Sequence, residues 1–383
     1  MKVVFVSNLF PDEAENYRGL DNATLLHELR KSCDVRIISP RPTLPWKSHF
    51  RKPRAMDRSF SPIYLEYPYV PKLGSLFNHH FFTRAIREPL RNLRNEFCFD
   101  VILVSWTFPD ACAVARVAEE MNVPFVTIVQ GSDAHAYLHM PLRRKVIVES
   151  LNCASSVITR SAKLAELLAN AGVRKDRLHP VYNGVDLETF RPAEKYKARQ
   201  ELGLAQVPTI LFVGNFLPVK NPLLLIQAHA QIDPPVQLVM IGGGPLESEM
   251  RSAVATLGSS NRVIFAGRKT AVEVARYMQA ADLLCLSSEN EGVPNVVLEA
   301  LATGIPVVST DVGGIGEILN QEFLGSLVPK GNREELTKAL QTWLASEVDA
   351  KRIRNYAEQF SWKRSAEAYL KLLKSAAEAE SAR

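Results

Sequence analysis

Between Ser287 and Val308 the chain reads SSENEGVPNVVLEALATGIPVV, with two carboxylates, Glu291 and Glu299, eight positions apart around a Gly-Val-Pro turn. Pro294 at the start and Gly304 just past the end mark out a helix of about ten residues. The first-turn amides of such a helix precede its internal ladder, so Asn295, Val296 and Val297, helped by the helix dipole, suit a phosphate. Glu299 lies about one turn further in, placed to accept hydrogen bonds from a vicinal diol such as a ribose. Glu291, on the loop beside Gly292, reaches a group beyond the phosphates. Either Glu taken singly also fits a solvated charge at a helix end. The pair says more, because it brackets a phosphate-type turn at the C-terminal edge of an expected parallel sheet, where open α/β sheets bind ligands.

Two further loops extend this pattern. The apolar run over 209–213 ends in Gly214-Asn215, and Lys220 follows before a helix beginning near Pro222. An ammonium there acts as a point charge on a diphosphate. Gly242-Gly243-Gly244-Pro245 follows the next strand, and Gly242 and Gly244 let a ligand approach the backbone closely. The run lacks the sixth-position Gly of a dinucleotide fingerprint, so a tight turn alone also accounts for it. In the first half, Gln130-Gly131-Ser132-Asp133-Ala134-His135 follows the strand over 125–129. Asp133 and His135 are candidates for contact with a sugar or a hydroxyl nucleophile, with helix capping the alternative for Asp133. Arg18-Gly19, after the first strand and before a helix, suits an anion or an acceptor hydroxyl. His79-His80 reads as helix surface, with no third ligand in evidence. The chain contains no Asp-x-Asp, so no metal site is expected and no cofactor is called for. Lys220 and helix amides are left to neutralise a diphosphate leaving group.

The elements that must position these residues alternate strand and helix twice over. Strands are expected at 2–6, 35–38, 101–104, 125–129 and 156–159, then at 209–213, 237–241, 263–265, 282–286 and 307–309. Helices fit at 20–31, 109–121, 142–152 and 163–171, then at 222–231, 246–257, 272–279 and 294–302. Continuous apolar strands alternating with amphipathic helices imply α/β architecture with two parallel sheets, each covered on both faces. The expectation is two Rossmann-like, doubly wound domains facing a central cleft. The first covers 1–190, with an irregular, basic, Pro-rich insertion at about 40–73; the second covers 191–350. A C-terminal helix over 351–383 either crosses back to the first domain or caps the second.

At 383 residues and 46% hydrophobic, the chain can bury two cores. Its net charge of +5 lies wholly in residues 1–190, and from Arg30 to Arg94 fourteen basic residues face four acidic ones. That favours an anionic partner: a phosphate-bearing acceptor or an anionic membrane surface. No nucleic-acid module accompanies it, so no nucleic acid is expected. The start reads as a strand rather than a signal peptide, and no stretch approaches the roughly eighteen apolar residues of a membrane span. The five Cys are far apart and lack C-x-x-C spacing, which fits a reducing compartment. A cytoplasmic protein, either free or peripheral at the inner face of the cell membrane, is expected.

Several motifs together resemble a known family. GVPNVVLEA with Glu291 and Glu299, then ATGIPVVSTDVGGIGEI, the NGVD turn with Phe190 and Pro192, VGN with Lys220, and the first-half GSD are similar to retaining glycosyltransferases of the GT-B fold, bacterial glycosyltransferase family 4. The resemblance covers nearly the whole chain and is strongest over 209–320. It implies transfer of a sugar from a nucleoside-diphosphate sugar to a glycan or lipid-linked acceptor in cell-surface polysaccharide biosynthesis, by front-face, metal-independent displacement. It further implies that Lys220 holds the donor diphosphate, the Val296 and Val297 amides its distal phosphate, Glu299 the ribose and Glu291 the transferred sugar, with Asp133 near the sugar on the acceptor side. On that basis Asp133, Glu291 and Lys220 are the catalytic candidates. The chain departs from the family pattern at Asn215, where Arg is usual, so that one diphosphate contact is lost or moves to Arg268 or Arg18. It also has Asn221 after the loop Lys in place of Gly, and Gln130 where many members carry His. Those departures keep open a non-catalytic homologue acting in carbohydrate assembly; a nucleotide-sugar epimerase or hydrolase on the same fold is a separate alternative.

Overall fold

A computed structural model describes residues 1–15, 17–44, 59–233 and 235–381 and divides the chain into two units. The first comprises Met1–Tyr182 with Trp362–Arg383, and the second Asn183–Ser361. The division falls eight residues earlier than the expected 190, for a local reason. Val185 donates its amide to the Phe360 carbonyl at 2.7 Å, and the Arg354 guanidinium binds the carbonyls of Leu187 and Phe190. The NGVD turn is thereby fastened to the second unit.

The first unit is built on seven parallel strands, β1 (Lys2–Val6), β2 (Asp34–Thr43), β3 (Ile63–Pro68), β4 (Val101–Ser105), β5 (Phe125–Val129), β6 (Ser156–Thr159) and β7 (Leu178–Pro180). Their order is β3-β2-β1-β4-β5-β6-β7. Strand side chains alternate between faces, and β1 shows the consequence. Val4 and Val6 join a core under the helices Asn78–Phe97, Cys112–Met121 and Pro141–Cys153, while Val3 and Phe5 join a second core under Leu20–Leu29 and the last helix, Trp362–Ser381. That last helix buries Ala366, Tyr369, Leu373 and Ala376, a one-face spacing, against the first unit.

Part of the expected insertion is regular. β2 runs on through Pro40 and Pro42 and pairs with β3 from Ile38↔Ile63 to Thr43↔Pro68. Its pairing with β1 stops at Ile38, so the two prolines lie where β2 has a strand on one side only and their missing N–H groups break no ladder there. Residues 45–58 of that stretch lie outside the described residues. The sequence reading put His79-His80 on a helix but gave no bounds for Asn78–Phe97: Pro89 in its interior and its dense basic residues obscure the buried spacing of Phe82, Ile86, Leu90 and Leu93. His79, read as helix surface, is buried on this helix, and burial pushes its imidazole down to about 4.

The second unit holds six parallel strands, β8 (Thr209–Val213), β9 (Gln237–Ile241), β10 (Val263–Gly267), β11 (Leu283–Leu286), β12 (Val307–Thr310) and β13 (Gly325–Val328), in the order β10-β9-β8-β11-β12-β13. Helices Pro222–His229, Glu247–Thr256, Ala271–Ala280 and Asn295–Thr303 form the crossovers between successive strands from β8 to β12, and Arg333–Ala345 follows β13. In both sheets the order reverses beside the first strand, between β1 and β4 and between β8 and β11. Connections leave a parallel sheet in opposite directions at such a point and open a crevice at the C-terminal strand ends. No helix among the described residues is long and apolar enough to cross a membrane.

Candidate functional site

The reversal in the second sheet brings together the loops after β8 and β11, and their side chains lock them. Ser287 donates its hydroxyl to the Asn221 carbonyl at 2.8 Å, Asn221 donates to Glu289 at 2.7 Å, and the Glu289 amide donates to the Val219 carbonyl at 2.8 Å. Within this frame the Lys220 ammonium lies 2.6 and 2.7 Å from the two carboxylate oxygens of Glu291. Ser288 donates to the same carboxylate at 2.6 Å, and Thr310 at the end of β12 fixes the Ser288 carbonyl at 2.6 Å. The Glu291 side chain is 8% exposed and that of Lys220 26%, so the pair is shielded on the carboxylate side and open on the cation side. Two residues predicted from separate motifs, 71 positions apart, thus form one charged pair.

The neighbouring loops come close enough to require glycine. Gly313 has φ +57°, and a Cβ there would stand 1.8 Å from the Glu291 carbonyl oxygen and 3.0 Å from that of Gly292; the Gly314 amide donates to Gly292 at 2.8 Å. On the other flank, Gly242 has φ +144° and a Cβ would stand 1.8 Å from the Gly214 carbonyl oxygen. Gly242 and Gly244 therefore pack against the β8 loop itself, Gly244 against Phe216. Arg268, just past β10, lies over Gly243 and donates to Asn215 Oδ1 at 3.2 Å and to the Gly243 carbonyl at 3.4 Å. Asn215 and Arg268 form one polar unit, and a guanidinium stands beside the position where family resemblance led one to expect an Arg.

The helix after β11 runs Asn295–Thr303 with Pro294 as its N-cap, one residue later than expected, and Gly304 closes it in the left-handed conformation at φ +84°. One expectation changes here. The Val297 amide is committed to the Pro294 carbonyl at 3.0 Å and its side chain is fully buried, so it is not among the groups offered to a ligand. Val296 and Asn295 stand in the first turn, half-buried, as does Glu299 one turn on. Asn183 donates to the Asn295 side chain at 2.8 Å.

In the first unit the loops after β1 and β4 meet at the other reversal. Asp110 is completely buried, accepting from the Asn8 amide at 2.8 Å, from the Asn8 side chain at 2.8 and 2.9 Å, and more distantly from Ser7. Burial pushes its carboxyl up to about 7, against the pull of those donors. Asp133, expected at the sugar, is turned inward. Its carboxylate accepts from the amides of Thr107 (2.8 Å), Gln130 (3.1 Å), Gly131 (2.8 Å) and Ala134 (3.0 Å), and burial raises its pKa. Four backbone donors fill it as a clip between the loops after β4 and β5. His135, two residues on, is exposed. Gly19, at φ +64°, is required because a Cβ would collide with the Leu9 carbonyl oxygen at 2.3 Å, and Arg18 pairs with Glu15 at 2.6 Å. Gln130 donates to Asn22 at 3.1 Å and to Ser105 at 2.8 Å, and accepts from Arg160 at 3.2 Å, whose other arm binds the buried Tyr369 hydroxyl at 2.8 Å.

Comparison with known proteins places both halves. Residues 22–189 match the Glycosyltransferase Family 4 domain, and residues 194–360 match Glycosyl transferases group 1. The chain belongs to the family 4 glycosyltransferases. A Bacillus subtilis (strain 168) protein named for teichuronic acid biosynthesis, the glycosyltransferase TuaC, is 28% identical over 346 residues, 86% of each chain. D-inositol 3-phosphate glycosyltransferase of Nocardia farcinica (strain IFM 10152) is 33% identical over 245 residues, covering 59% of this chain and 53% of that one. The fold matches the crystal structure of Anabaena Alr3699/HepE in complex with UDP, with a TM-score of 0.78, 22% identity and coverage of 98% and 100%. This glycosyltransferase therefore has the GT-B pair of parallel-sheet α/β domains. Sequence reasoning missed Asn8, Asp110 and Arg160, which organise the first unit's strand ends. For Asn8 and Arg160 the sequence signal is a polar residue just past an apolar strand; Asp110, five positions beyond the end of β4, lacks even that.

Proposed function

We propose that this glycosyltransferase binds a nucleoside-diphosphate sugar at the C-terminal edge of β8 and β11 and transfers the sugar to a glycan or lipid-linked acceptor held by the first unit, in polysaccharide biosynthesis. The observation that carries this reading is the Lys220–Glu291 pair at the reversal point of the second sheet, beside the N-terminus of the helix Asn295–Thr303. A diphosphate at the open side of Lys220 is met by a cation and by a helix terminus. The group attached to that diphosphate then lies next to Glu291, whose carboxylate is already fixed by Ser288 and can accept from sugar hydroxyls. Glu299, a turn further along, suits the ribose. Arg268 with Asn215 supplies the second positive group that the loop after β8 lacks.

The chemistry follows from this placement. The bond between the anomeric carbon and the diphosphate oxygen breaks as Lys220 and Arg268 take up the developing charge. The acceptor oxygen bonds to the anomeric carbon on the face the diphosphate leaves, and its proton passes to the departing phosphate oxygen. In this reading Glu291 orients the sugar and is not a general base, Asp133 holds the backbone, and no metal is needed. The names of the relatives support the reading: one concerns teichuronic acid biosynthesis, and the Anabaena structure is a complex with UDP. The test is turnover of UDP-, GDP-, ADP- and dTDP-sugars by the full chain with glycan and lipid-linked acceptors. Release of nucleoside diphosphate that requires acceptor supports transfer, whereas equal release without acceptor points to hydrolysis.

A further inference from the structure

The loop that follows β1 is tied down along its backbone almost residue by residue. Arg41, buried on β2, donates to the carbonyls of Asn8 at 2.8 Å and Phe10 at 2.5 Å and pairs with buried Asp12 at 2.8 Å. Asn22 donates to the Leu9 carbonyl at 2.8 Å, and Tyr64 to that of Pro11 at 2.9 Å. Asp12 in turn accepts from the amides of Ala14 and Glu15. With the backbone held in this way, the group at the head of the loop that can still turn is the side-chain amide of Asn8, which is half-buried.

That amide lies between two charges. On one side its Nδ2 donates to both oxygens of Asp110, at 2.8 and 2.9 Å, while the Asn8 backbone amide donates to Oδ2 at 2.8 Å. On the other side its Oδ1 and the Asn8 carbonyl lie 3.5 Å from Nη1 of Arg18. Ser7 sends its hydroxyl proton to the Ser105 carbonyl at 2.8 Å, so Asn8 is the partner that reads Asp110. The arrangement requires an ionised Asp110, since a carboxylate only accepts. A proton taken up on Oδ1 meets the N–H groups of Asn8. A half-turn of the Asn8 amide restores the pairing: the Asp110 O–H donates to Asn8 Oδ1, and the backbone amide keeps Oδ2. The same half-turn puts Nδ2, a donor, beside the Arg18 guanidinium in place of an acceptor.

Burial places this proton uptake at about pH 7. The groups that act on Asp110 are Asp133 and Tyr137 of the helix Ser132–Tyr137, Tyr67 of β3 and Cys112 of the following helix, while His79 and Arg143 pack on Phe108 of the same turn. Tyr67, Tyr137 and Cys112 are pushed up by burial and His79 is pushed down to about 4, so all four are neutral there. Among the described residues no cation pairs with Asp110.

We propose that Asn8 and Asp110 are a proton-set pair that positions Arg18, holding it by an oxygen when Asp110 is ionised and releasing it when Asp110 is protonated. The consequence rests on the proposed function. Arg18 stands in the loop at the C-terminal edge of the first sheet, so use of the acceptor, and not donor binding, follows the proton.

Asp110→Asn tests this, because it fixes the protonated arrangement at every pH: its oxygen serves the Asn8 backbone amide and its NH2 meets the Asn8 side chain. In the full chain labelled with 15N at asparagine side chains, the Asn8 resonances are identified by their loss in Asn8→Ala. They should move as pH crosses about 7 in the parent and stay near the parent's low-pH positions in Asp110→Asn. Melting temperature gives a second reading. A carboxyl raised in the folded state contributes stability that is full below its unfolded value near 4 and is lost as pH rises through about 7. The parent should therefore gain melting temperature relative to Asp110→Asn as pH falls from about 7 to about 5. If Asp110→Asn does not fold, Asn8→Ala serves instead: it takes two donors from the carboxylate, and the window should move to higher pH. Asn8 resonances that stay fixed across pH 7, equal pH dependence in parent and Asp110→Asn, or an unmoved window in Asn8→Ala would overturn the proposal. Affinity for UDP, GDP, ADP and dTDP is read separately by calorimetry and should be the same in Asp110→Asn as in the parent. A parent that binds none of them would remove the proposed function and keep the pair, whereas altered nucleotide affinity in Asp110→Asn would overturn the assignment to the acceptor side.

Discussion

Glu291→Gln separates the two jobs that the Lys220–Glu291 pair would perform. With Nζ 2.6 and 2.7 Å from the carboxylate oxygens, the centres of charge lie about 4 Å apart and attract by roughly 4 kcal/mol at an effective dielectric constant near 20. Most of that offsets the desolvation of a carboxylate that is only 8% exposed, which leaves a net hold on Lys220 of about 1 kcal/mol. Gln keeps the shape and the Ser288 hydrogen bond and releases the ammonium. Bare nucleoside diphosphate should then bind unchanged or up to about fivefold tighter. The nucleoside-diphosphate sugar gains the same release but loses a charged acceptor for its hydroxyls, worth about 1.5–3 kcal/mol. The ratio of the two dissociation constants, sugar-bearing over bare, should therefore rise by roughly 10- to 150-fold. Titration calorimetry of both ligands on both proteins reads that ratio directly, and the Lys220 contribution cancels in it. An unchanged ratio would place Glu291 outside the sugar's reach and refute the assignment.

Three further outcomes follow from the structure. Gly313→Ala drives a Cβ into the Glu291 carbonyl at φ +57°, and should cost about 2–3 kcal/mol of stability together with most donor affinity, read by thermal melting and calorimetry. His229 is fully buried, with Nε2 3.0 Å from the Val236 carbonyl, and burial pushes it down to about 4. Its stabilising contribution is present above its unfolded value near 6.5 and is lost as pH falls toward 4. Between pH 7.5 and 5 that loss is about 2 kcal/mol, and His229→Gln should flatten this part of the melting-temperature profile. Tyr369→Phe removes the hydroxyl that accepts from buried Arg160 and should lower stability by about 1–3 kcal/mol. A melting temperature equal to that of the parent protein would show that Arg160 finds another partner.

Much of the architecture was legible because each buried parallel strand is a short apolar run, as in VVFV, VILV, TILFV and QLVMI. Three of the four edge strands, β3, β7 and β13, were not, whereas the fourth, β10, was expected at 263–265. β3 buries only Tyr64 and Tyr67, three positions apart and so off the two-residue period of a strand, beside several prolines, and β7 has only three residues. The bounds of the helix Asn78–Phe97 were hidden by its own cations and Pro89. At the site, Lys220 and Glu291 could be read from their motifs, but their contact could not, since it depends on where the sheet order reverses. At Asp133 the sequence left two readings open, a ligand contact and a cap on the backbone, and the carboxylate is taken up by backbone amides. From sequence, a carboxylate after a strand looks the same whether it faces a ligand or four backbone amides. The loop geometry that decides this includes Trp106 at φ +91° and Gly131 at φ +106°, and neither is encoded in any local pattern. The close approach of Gly242 to the β8 loop was likewise open to two readings, and packing of backbone on backbone explains it without a ligand.

The central claim is that the loops after β8 and β11 hold a nucleoside-diphosphate sugar through Lys220. It is tested most directly by calorimetric titration of the parent protein and Lys220→Ala with whichever of the UDP-, GDP-, ADP- and dTDP-sugars binds. The account predicts saturable binding to the parent and a loss of about 10- to 150-fold in Lys220→Ala, the worth of a charge-assisted hydrogen bond. Absence of binding to all four, or equal affinity in the two proteins, would contradict it.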